Sequence, residues 1–330
     1  MRYRRVTITG ASGFIGRYVV KRLATRGIVI AAVSRDIEKA KMLRPMGDVG
    51  QIATLRASLV DEEALAVTVA GSDSVVNLVG ILHEHGAQRF DAIHHEGAAR
   101  LARIARAAGV KRFVHVSALG ADASSPAAYA RSKAAGEAAV RAEFPDAVIL
   151  RPSVVFGPED NFFNRFARMA QVFPALPLIG GGKTRFQPVY VGDVADAVVR
   201  ALEDERAAGR TYELGGPRAY SFRELMELLL GEIGRQKALV PISYGLAEFQ
   251  ARLLEWLPSP PLTRDQVKML QRDSVVSPGA LTLQDLGITP NAVEAILPTY
   301  MGRYRPGGWF TARARRGGAW DDPEGRTRTP

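Results

Sequence analysis

The stretch TGASGFIGRYVV at residues 9–20 decides the fold of this chain. It places Gly10, Gly13 and Gly16 between the apolar run VTIT and the amphipathic segment RYVVKRLATRG. Glycines at such a turn let the backbone approach a pyrophosphate, which the N-terminus of the next helix attracts. The spacing alone also suits a turn that only packs a helix on a strand. Because it lies between a strand and a helix, it favours a dinucleotide site.

Apolar, strand-like runs alternate with helical patterns through the first half of the chain. The runs are VTIT, VIAAV, SVVNLVGI, FVHVS and AVILRPSV. Strands buried on both faces are typical of a parallel sheet flanked by helices. The alternation stops after Phe156 and resumes with VYVGDVADAVVRALED and TYELGG. The sequence therefore predicts an α/β protein with a Rossmann-type doubly wound parallel sheet and a smaller, mainly helical C-terminal lobe.

The breaks in this pattern predict the domain boundaries. We place the nucleotide-binding Rossmann domain at 1–156 plus 189–215, and a smaller substrate or partner lobe at 157–188 plus 216–305. Residues 306–330 form a basic, Gly/Pro-rich tail that we expect to be flexible.

Composition excludes several classes of function. The 330 residues include no cysteine, which rules out disulfides, thiolate nucleophiles and cysteine-bound metals. No apolar run reaches the roughly 18 to 20 residues of a membrane span. The first strand-like run begins almost at Met1, so we expect a cytoplasmic, prokaryotic protein without a targeting peptide.

Four units of the net charge of +10 lie at the C-terminal end, where seven arginines at 303–328 outnumber three acidic residues. An acidic protein surface, a membrane surface or anionic lipid would suit this charge. We expect no nucleic acid partner, because no recognition helix or aromatic-interleaved basic strand pair accompanies it.

The second strand ends in AVSRD, which indicates the choice of nucleotide. An acidic residue at this tip binds the ribose 2′-hydroxyl of NAD, whereas an arginine accommodates the 2′-phosphate of NADP. Ser34 and Arg35 occupy the tip, and Asp36 is placed to open the next helix. Arg35 is otherwise a solvated surface residue. The sequence favours NADP(H) as the cofactor.

Three polar residues follow the next strands in a pattern typical of dehydrogenases. Ser117 ends the VHVS strand, and the segment YARSK places Tyr129 and Lys133 four residues apart on one helix face. The ammonium there is expected to lower the pKa of the phenol and to reach the nicotinamide ribose. Ser117 would polarise a substrate oxygen while Tyr129 transfers its proton. The same three residues would also serve as a clamp on a nucleotide that never reacts.

Residues beside these motifs are expected to complete the nucleotide site. After the third strand, LRASLVD carries Ser58, with Asp61 farther on, and adenine recognition is expected from the backbone near Leu59. The further expected cofactor contacts are Ser12, Phe14, Ile15, Val79, Gly80, Pro152 and Val154.

Longer stretches resemble known families. The glycine turn, YARSK and QPVYVGDVADAV together resemble the extended and atypical short-chain dehydrogenase/reductase superfamily. The stretches HVSALGADASSPAAYARSKAAGE, LRPSVVFGPEDNFFNRFA and LTRDQVKMLQRDSVVS with LQDLGI resemble the nucleotide-binding accessory subunit of respiratory complex I, the NADH:ubiquinone oxidoreductase alpha subcomplex subunit 9 family, in its bacterial form. This resemblance implies tight NADPH binding, complex I peripheral-arm partners near the quinone site, and no established turnover.

Two other features have competing interpretations. The histidines His83, His85, His94 and His95 suggest metal ligands, but a loop histidine pair is more often solvated, and we expect no metal site. The segment YGLAEFQARLLEWL spaces its large apolar residues along one helix face. Such a stripe is usually core packing, and otherwise an interface or a membrane-surface helix.

Two functions remain open. In the first, the chain is an NADP(H)-binding accessory subunit of complex I, structural or redox-sensing, peripheral on the cytoplasmic face of a bacterial inner membrane. In the second, it is an active NADPH-dependent reductase or epimerase that acts on a sugar-nucleotide, quinone or isoprenoid-like substrate. The narrower resemblance extends into the smaller lobe, which favours the first.

Overall fold

The structure is a computed structural model that describes residues 4–86, 88–257 and 260–308. The strands are β1 Arg5–Thr9, β2 Val29–Ser34, β3 Ile52–Arg56, β4 Ser74–Asn77, β5 Arg112–Val116, β6 Val148–Pro152, β7 Val155–Phe156, β8 Ala175–Ile179, β9 Arg185–Phe186, β10 Val189–Tyr190, β11 Thr211–Leu214, β12 Tyr220–Ser221 and β13 Ala238–Ile242. The helices are α1 Phe14–Ala24, α2 Ile37–Lys41, α3 Glu62–Val69, α4 Gly97–Ala107, α5 Ala128–Glu143, α6 Phe163–Val172, α7 Val191–Glu203, α8 Phe222–Glu232, α9 Tyr244–Leu254, α10 Arg264–Met269, α11 Val293–Ile296 and α12 Pro298–Met301. A π-helix at Asp91–Glu96 leads into α4.

Within the described residues, seven strands form one sheet in the order β11-β6-β5-β4-β1-β2-β3. Every neighbouring pair in it is parallel. The strand order reverses between β1 and β4, and ligands of such sheets bind at this switch point, outside the carboxyl ends of the strands. The predicted Rossmann-type sheet is confirmed, and the glycine turn lies at its switch point.

The strand β4 ends four residues before the predicted run SVVNLVGI does. The side chain of Asn77 explains the early end, because its Oδ1 accepts hydrogen bonds from Thr9 Oγ1 at 2.9 Å and from the Val79 N–H at 3.2 Å. An asparagine that bonds the backbone two residues on turns the chain out of the ladder. Residues 78–81 therefore lie across the carboxyl edge of the sheet.

The smaller lobe has an aromatic core of its own. Phe162 contacts the rings of Phe163, Phe166, Phe186 and Phe222 at centroid distances of 5.1 to 6.2 Å. Beside these helices, β8 and β13 pair in parallel, a strand pair that the sequence pattern does not predict. Each of the two strands contains a proline, which weakens the sequence signal for a strand.

One segment of the predicted smaller lobe packs on the large sheet. The Glu213 N–H on β11 donates to the Leu281 carbonyl at 2.8 Å. Leu283 and Leu286 are buried in the core that also contains Val6 of β1. The division into domains stays a prediction, and the structure adds that this segment borders the edge strand.

The large apolar residues of the YGLAEFQARLLEWL stripe, on α9 and just after its end, lie on the surface. The exposed fractions are 50% for Leu246, 60% for Phe249, 61% for Leu253 and 87% for Trp256. The core-packing interpretation of this stripe is wrong, because the helix buries its small residues Ala247 and Ala251 instead. Short side chains let α9 lie close to Val267 of α10, which leaves the large ones outside.

Two sequence expectations concern membranes and the tail. Among the helices that the structure describes, none is long and apolar enough to cross a membrane. Of the predicted tail, residues 309–330 lie outside the described part of the chain. The arginines just before it bind within the smaller lobe, since Arg303 donates to the Pro158 carbonyl at 2.9 Å and Arg305 pairs with Glu232.

Candidate functional site

A cleft of about 530 Å³ opens at the carboxyl ends of β1, β2, β3 and β4, where the strand order reverses. Part of the predicted cofactor set lines it, namely Gly10, Ser12, Gly13, Ser34, Arg35, Leu59, Val79 and Gly80. The other predicted residues, Phe14, Ile15, Gly16, Ser117, Tyr129, Lys133, Pro152 and Val154, lie beyond this lining. The local sequence motifs thus converge on one cleft, and the remaining residues are positioned by longer-range packing.

The glycine turn forms the phosphate end of the cleft. Gly10 has a φ of 76°, and a Cβ there would lie 3.1 Å from the Leu78 carbonyl carbon. A Cβ on Gly16 would lie 2.4 Å from the carbonyl oxygens of Gly10 and Ala11, so a larger residue would push the helix off the turn. No side chain caps α1, which begins at Phe14. Its first amide groups are therefore available to an anionic ligand. This cradle fits a dinucleotide pyrophosphate.

The tip of β2 exposes one basic side chain, and the residue before it is buried and hydrogen-bonded. Ser34 is buried, and its Oγ lies 2.8 Å from Ser12 Oγ in the glycine turn. Asp36 is occupied at the start of α2, where its Oδ1 accepts from the Glu38 and Lys39 amides at 3.1 and 3.2 Å. Arg35 is exposed and makes no hydrogen bond or ion pair within the described residues. Its guanidinium is free to meet a phosphate.

Lys39 is a residue of this region that the motif reading omits. It lines the cleft together with Arg35, four residues later in the chain. The spacing of four between two cations after a strand tip is the sequence signal that points to it. Two positive side chains beside one cleft favour an anionic ligand.

The floor beside β3 is apolar and shaped by the backbone. Leu59 is buried, and its carbonyl accepts a hydrogen bond from Arg100 Nη1 at 2.7 Å. Ala57, Ser58 and Ile93 line the same part of the cleft. A flat, apolar base can lie on such a surface.

The predicted polar triad is deeply buried. Tyr129 is 9% exposed, and both Ser117 and Lys133 are 4% exposed. Lys133 Nζ donates to the Val116 carbonyl at 3.4 Å, and a Cβ on Gly80 would lie 3.2 Å from that Nζ. The Ser117 Oγ has no hydrogen-bond partner among the described residues. An unpartnered buried hydroxyl is costly, so a bound ligand would stabilise it. Gly80 joins the triad to the cleft.

Burial decides the protonation of the pair on α5. It raises the pKa of Tyr129 to about 12 and lowers the pKa of Lys133 to about 8, while the nearby Glu137 opposes the change on the lysine. The expectation that Lys133 lowers the pKa of the phenol is wrong in direction, because burial disfavours the charged phenolate and raises that pKa. Lys133 Nζ lies 6.0 Å from the centroid of the Tyr129 ring.

A buried histidine packs beside the triad, contrary to the solvated interpretation of the histidine pair. His94 Nε2 accepts from the Ile81 N–H at 3.0 Å, and Nδ1 lies 2.9 Å from Ser132 Oγ. Its ring meets the Tyr129 ring edge-on at 5.5 Å. Burial lowers the pKa of His94 to about 3, with Lys133 as the second cause. His94 is therefore neutral at physiological pH and fixes residues 79–81 over the cleft.

Pro152 and Val154 flank the end of β6 near the smaller lobe. Pro152 is buried in the sheet, paired in register with Leu214, and Val154 packs against the aromatic core of the smaller lobe. Across the described residues, no group of three or more His, Asp or Glu side chains is arranged to hold a metal ion.

Comparison with known proteins agrees with this geometry. The NAD dependent epimerase/dehydratase family matches residues 6–215. The NADH dehydrogenase (ubiquinone) 1 alpha subcomplex subunit 9, mitochondrial, of Arabidopsis thaliana is 37% identical over 314 residues, which cover 92% of this chain and 78% of the relative. The Mus musculus protein of the same name is 36% identical over 309 residues, which cover 93% of this chain and 82% of the relative. A ceramide reductase of Caulobacter vibrioides is 33% identical over 194 residues, 59% of each chain.

Solved structures share the fold. A Citrobacter sp. triphenylmethane reductase complexed with NADP(H) has a TM-score of 0.71 and 21% identity, covering 89% of this chain and 99% of that one. A dTDP-glucose 4,6-dehydratase from Streptomyces venezuelae with NAD bound has a TM-score of 0.70 and 22% identity, covering 97% and 99%. One contains NADP(H) and the other NAD, so the choice between them rests on the residues of this chain.

Proposed function

This chain belongs to the NAD dependent epimerase/dehydratase family and, within it, to the family of complex I alpha subcomplex subunit 9, and we propose that it is an NADP(H)-binding accessory subunit of respiratory complex I. Its role is structural or redox-sensing, with little or no turnover. One observation carries the proposal: identity to complex I subunits of 36–37% extends over 92–93% of the chain, well past the family match at residues 6–215. The smaller lobe, which in an enzyme would adapt to a substrate, lies within those alignments for most of its length.

The nucleotide is held by parts with separate tasks. The glycine turn and the first amides of α1 take the pyrophosphate. The apolar floor around Leu59 takes the adenine. Lys133, whose ammonium lies beside Gly80, takes the nicotinamide ribose.

Arg35 and Lys39 support NADP(H) over NAD(H). Both line the cleft, and the nearby carboxylate of Asp36 is engaged by the amides of α2. Asp36 Oδ1 is engaged by those amides, and Asp36 Oδ2 lies 3.8 Å from Lys39 Nζ. Arg35, which has no acidic partner among the described residues, is therefore the cation that we assign to a 2′-phosphate.

The burial of the triad supports little turnover. NADPH supplies a hydride when bound, and an enzyme needs an acid whose proton leaves readily beside an accessible substrate. The phenol of Tyr129, with its pKa raised to about 12, is far from that optimum. The three residues hold the nucleotide, and they keep the side chains of a catalytic triad without using them for turnover.

A second candidate function is an active NADPH-dependent reductase or epimerase on a sugar-nucleotide, quinone or isoprenoid-like substrate. The presence of Ser117, Tyr129 and Lys133 together, and the 33% identity to a ceramide reductase, favour it. Hydride transfer at about 1 per second or more, abolished by Tyr129→Phe, would establish it.

The partner surface is assigned to the smaller lobe. The exposed stripe on α9 borders a groove of about 580 Å³ that Phe249, Arg252 and Lys268 line. We place it against peripheral-arm subunits near the quinone site, with the chain on the cytoplasmic face of a bacterial inner membrane. The basic residues beyond Arg305 are assigned to an anionic surface, either lipid or acidic protein.

Titration of the purified chain with NADPH and NADH tests the nucleotide assignment. NADPH should bind about ten- to a hundredfold more tightly, because a charge-assisted contact to the 2′-phosphate is worth that factor. Arg35→Glu should remove the preference. The matched control is Lys21→Glu, the same change of charge at an exposed position near the far end of α1. Equal affinities in the unaltered chain would overturn the assignment.

A further inference from the structure

The helix that carries Tyr129 and Lys133 begins without a cap from its own segment. Ala127 occupies the N-cap position of α5 in an extended conformation, with φ −84° and ψ 125°. Its side chain offers no acceptor, and the first turn contains no acidic residue. The first amide groups of a helix have no partner within it, so buried ones need an acceptor from elsewhere.

Asp265, from α10 in the smaller lobe, supplies that acceptor. Its Oδ1 accepts from the Ala128 N–H at 2.6 Å and its Oδ2 accepts from the Tyr129 N–H at 3.0 Å. Both oxygens of one carboxylate are thus used on two successive amides, 137 and 136 residues away in the chain. A negative charge at this end also suits the helix dipole.

The carboxylate is not needed in its own helix. Thr263 caps α10, since its Oγ1 accepts from the Gln266 N–H at 3.2 Å and Gln266 reciprocates to the Thr263 N–H. Asp265 is therefore free to point out of α10 and bond α5.

Other contacts hold the same segment, which we name the strap and define as residues 263–274, on the large lobe. Arg272 Nη1 lies 2.6 Å from Asp122 Oδ2, in the segment that leads into α5. Ser153 Oγ, just after β6, donates to the Ser274 carbonyl at 2.9 Å. The strap thus reaches both sides of the triad.

We propose that Asp265 is a positioning residue of the nucleotide clamp, through which the strap sets the placement of Tyr129 and Lys133. The inference rests on the proposed function, in that NADPH must bind at the α5 triad. Because coupling is reciprocal, a strap that strengthens nucleotide binding is itself held more firmly when nucleotide is bound. The order of the strap and the affinity for the nucleotide are then coupled through the carboxylate of Asp265.

Titration with NADPH tests the proposal. Asp265→Ala should weaken binding about three- to thirtyfold, the factor that such a cap is worth. Asp265→Asn, which keeps the shape and one acceptor oxygen, should weaken it less. Gln271→Ala, which removes an exposed side chain from the same strap, is the matched control and should bind as the unaltered chain does.

A local cap separates positioning from simple stabilisation. Ala127→Ser in the Asp265→Ala background places a hydroxyl at the N-cap of α5 without restoring the tie to the strap. The thermal midpoint should then recover while NADPH affinity stays low, and amide exchange of the strap should no longer slow when NADPH is added. Recovery of full affinity would overturn the proposal, because α5 would need only a cap.

The remaining outcomes are also decisive. Asp265→Ala that melts cooperatively and binds NADPH as tightly as the unaltered chain overturns the inference. If that variant does not fold, Asp265→Asn decides, with unchanged affinity counting against the inference and a loss of at least about threefold supporting it. Failure of the unaltered chain to bind NADPH would instead defeat the proposed function.

Discussion

Lys133 is the residue whose titration connects the site to a measurable pH dependence. Burial lowers the pKa of its ammonium from 10.5 to about 8. In the proposed site the charged form of Lys133 donates to the nicotinamide ribose, so NADPH affinity should be highest below pH 8 and fall as the pH rises through it. Calorimetric titrations between about pH 6.5 and 9.5 measure this, and Lys133→Ala should bind weakly with a flat profile. A flat profile in the unaltered chain would contradict the assigned role of Lys133.

The lowered pKa of Lys133 also determines how the free energy of unfolding depends on pH. Burying the charged lysine lowers the free energy of unfolding wherever the folded chain keeps the proton. This destabilisation is fully present below about pH 8, the pKa in the folded chain. The penalty is relieved as the pH rises from about 8 to 10.5. A bound nucleotide that accepts hydrogen bonds from the ammonium offsets it.

Some residues of the site are predictable from sequence and others are not, for a physical reason. Gly10, Gly16 and Arg35 act through the turn and strand tip that contain them, so their spacing identifies them. His94 and Asp265 act on segments far along the chain, through an imidazole acceptor for Ile81 and a carboxylate on α5. No local pattern distinguishes such residues from solvated ones.

At the scale of elements, α9 gives a direct test of the partner surface. Changing Phe249 or Trp256 to Asp should leave the free energy of unfolding within about 0.5 kcal/mol, because both are exposed. The same changes should cost about 2 kcal/mol or more of association with complex I, as buried interface anchors do. Thermal melting beside co-purification measures both effects.

Two control variants separate loss of the fold from loss of the partner surface. Ala251→Asp should destabilise the fold, since Ala251 is fully buried on the inner face of α9. Val49→Asp, at an exposed position in the other lobe, should change neither quantity. Normal association of the Phe249 and Trp256 variants would remove α9 from the interface.

The elements also show what the spacing of apolar residues cannot predict. The apolar spacing of YGLAEFQARLLEWL predicts a helix, and α9 confirms it. The pattern does not say which face is inside, because Ala247 and Ala251 form a second stripe that seats the helix on α10. Strands β8 and β13 are not predicted because each contains a proline and because β9 to β12, α7 and α8 all lie between them in the chain.

At the scale of the whole molecule, the parallel sheet of the large lobe can be predicted from the sequence. Its strands and helices have apolar patterns that are visible within each segment. The arrangement of the lobes cannot be predicted in this way, since it depends on contacts such as Asp265 with α5 and Leu281 with β11. We propose that the Rossmann domain holds NADP(H) while the smaller lobe docks on complex I.

The most direct test is to solubilise membranes gently enough to keep complex I intact, fractionate them by size, and follow the untagged chain at its natural level. The account predicts that the chain migrates with complex I and that the nucleotide released from it is NADP(H). A chain found only as a small free species, or one that carries NAD(H), would contradict the account.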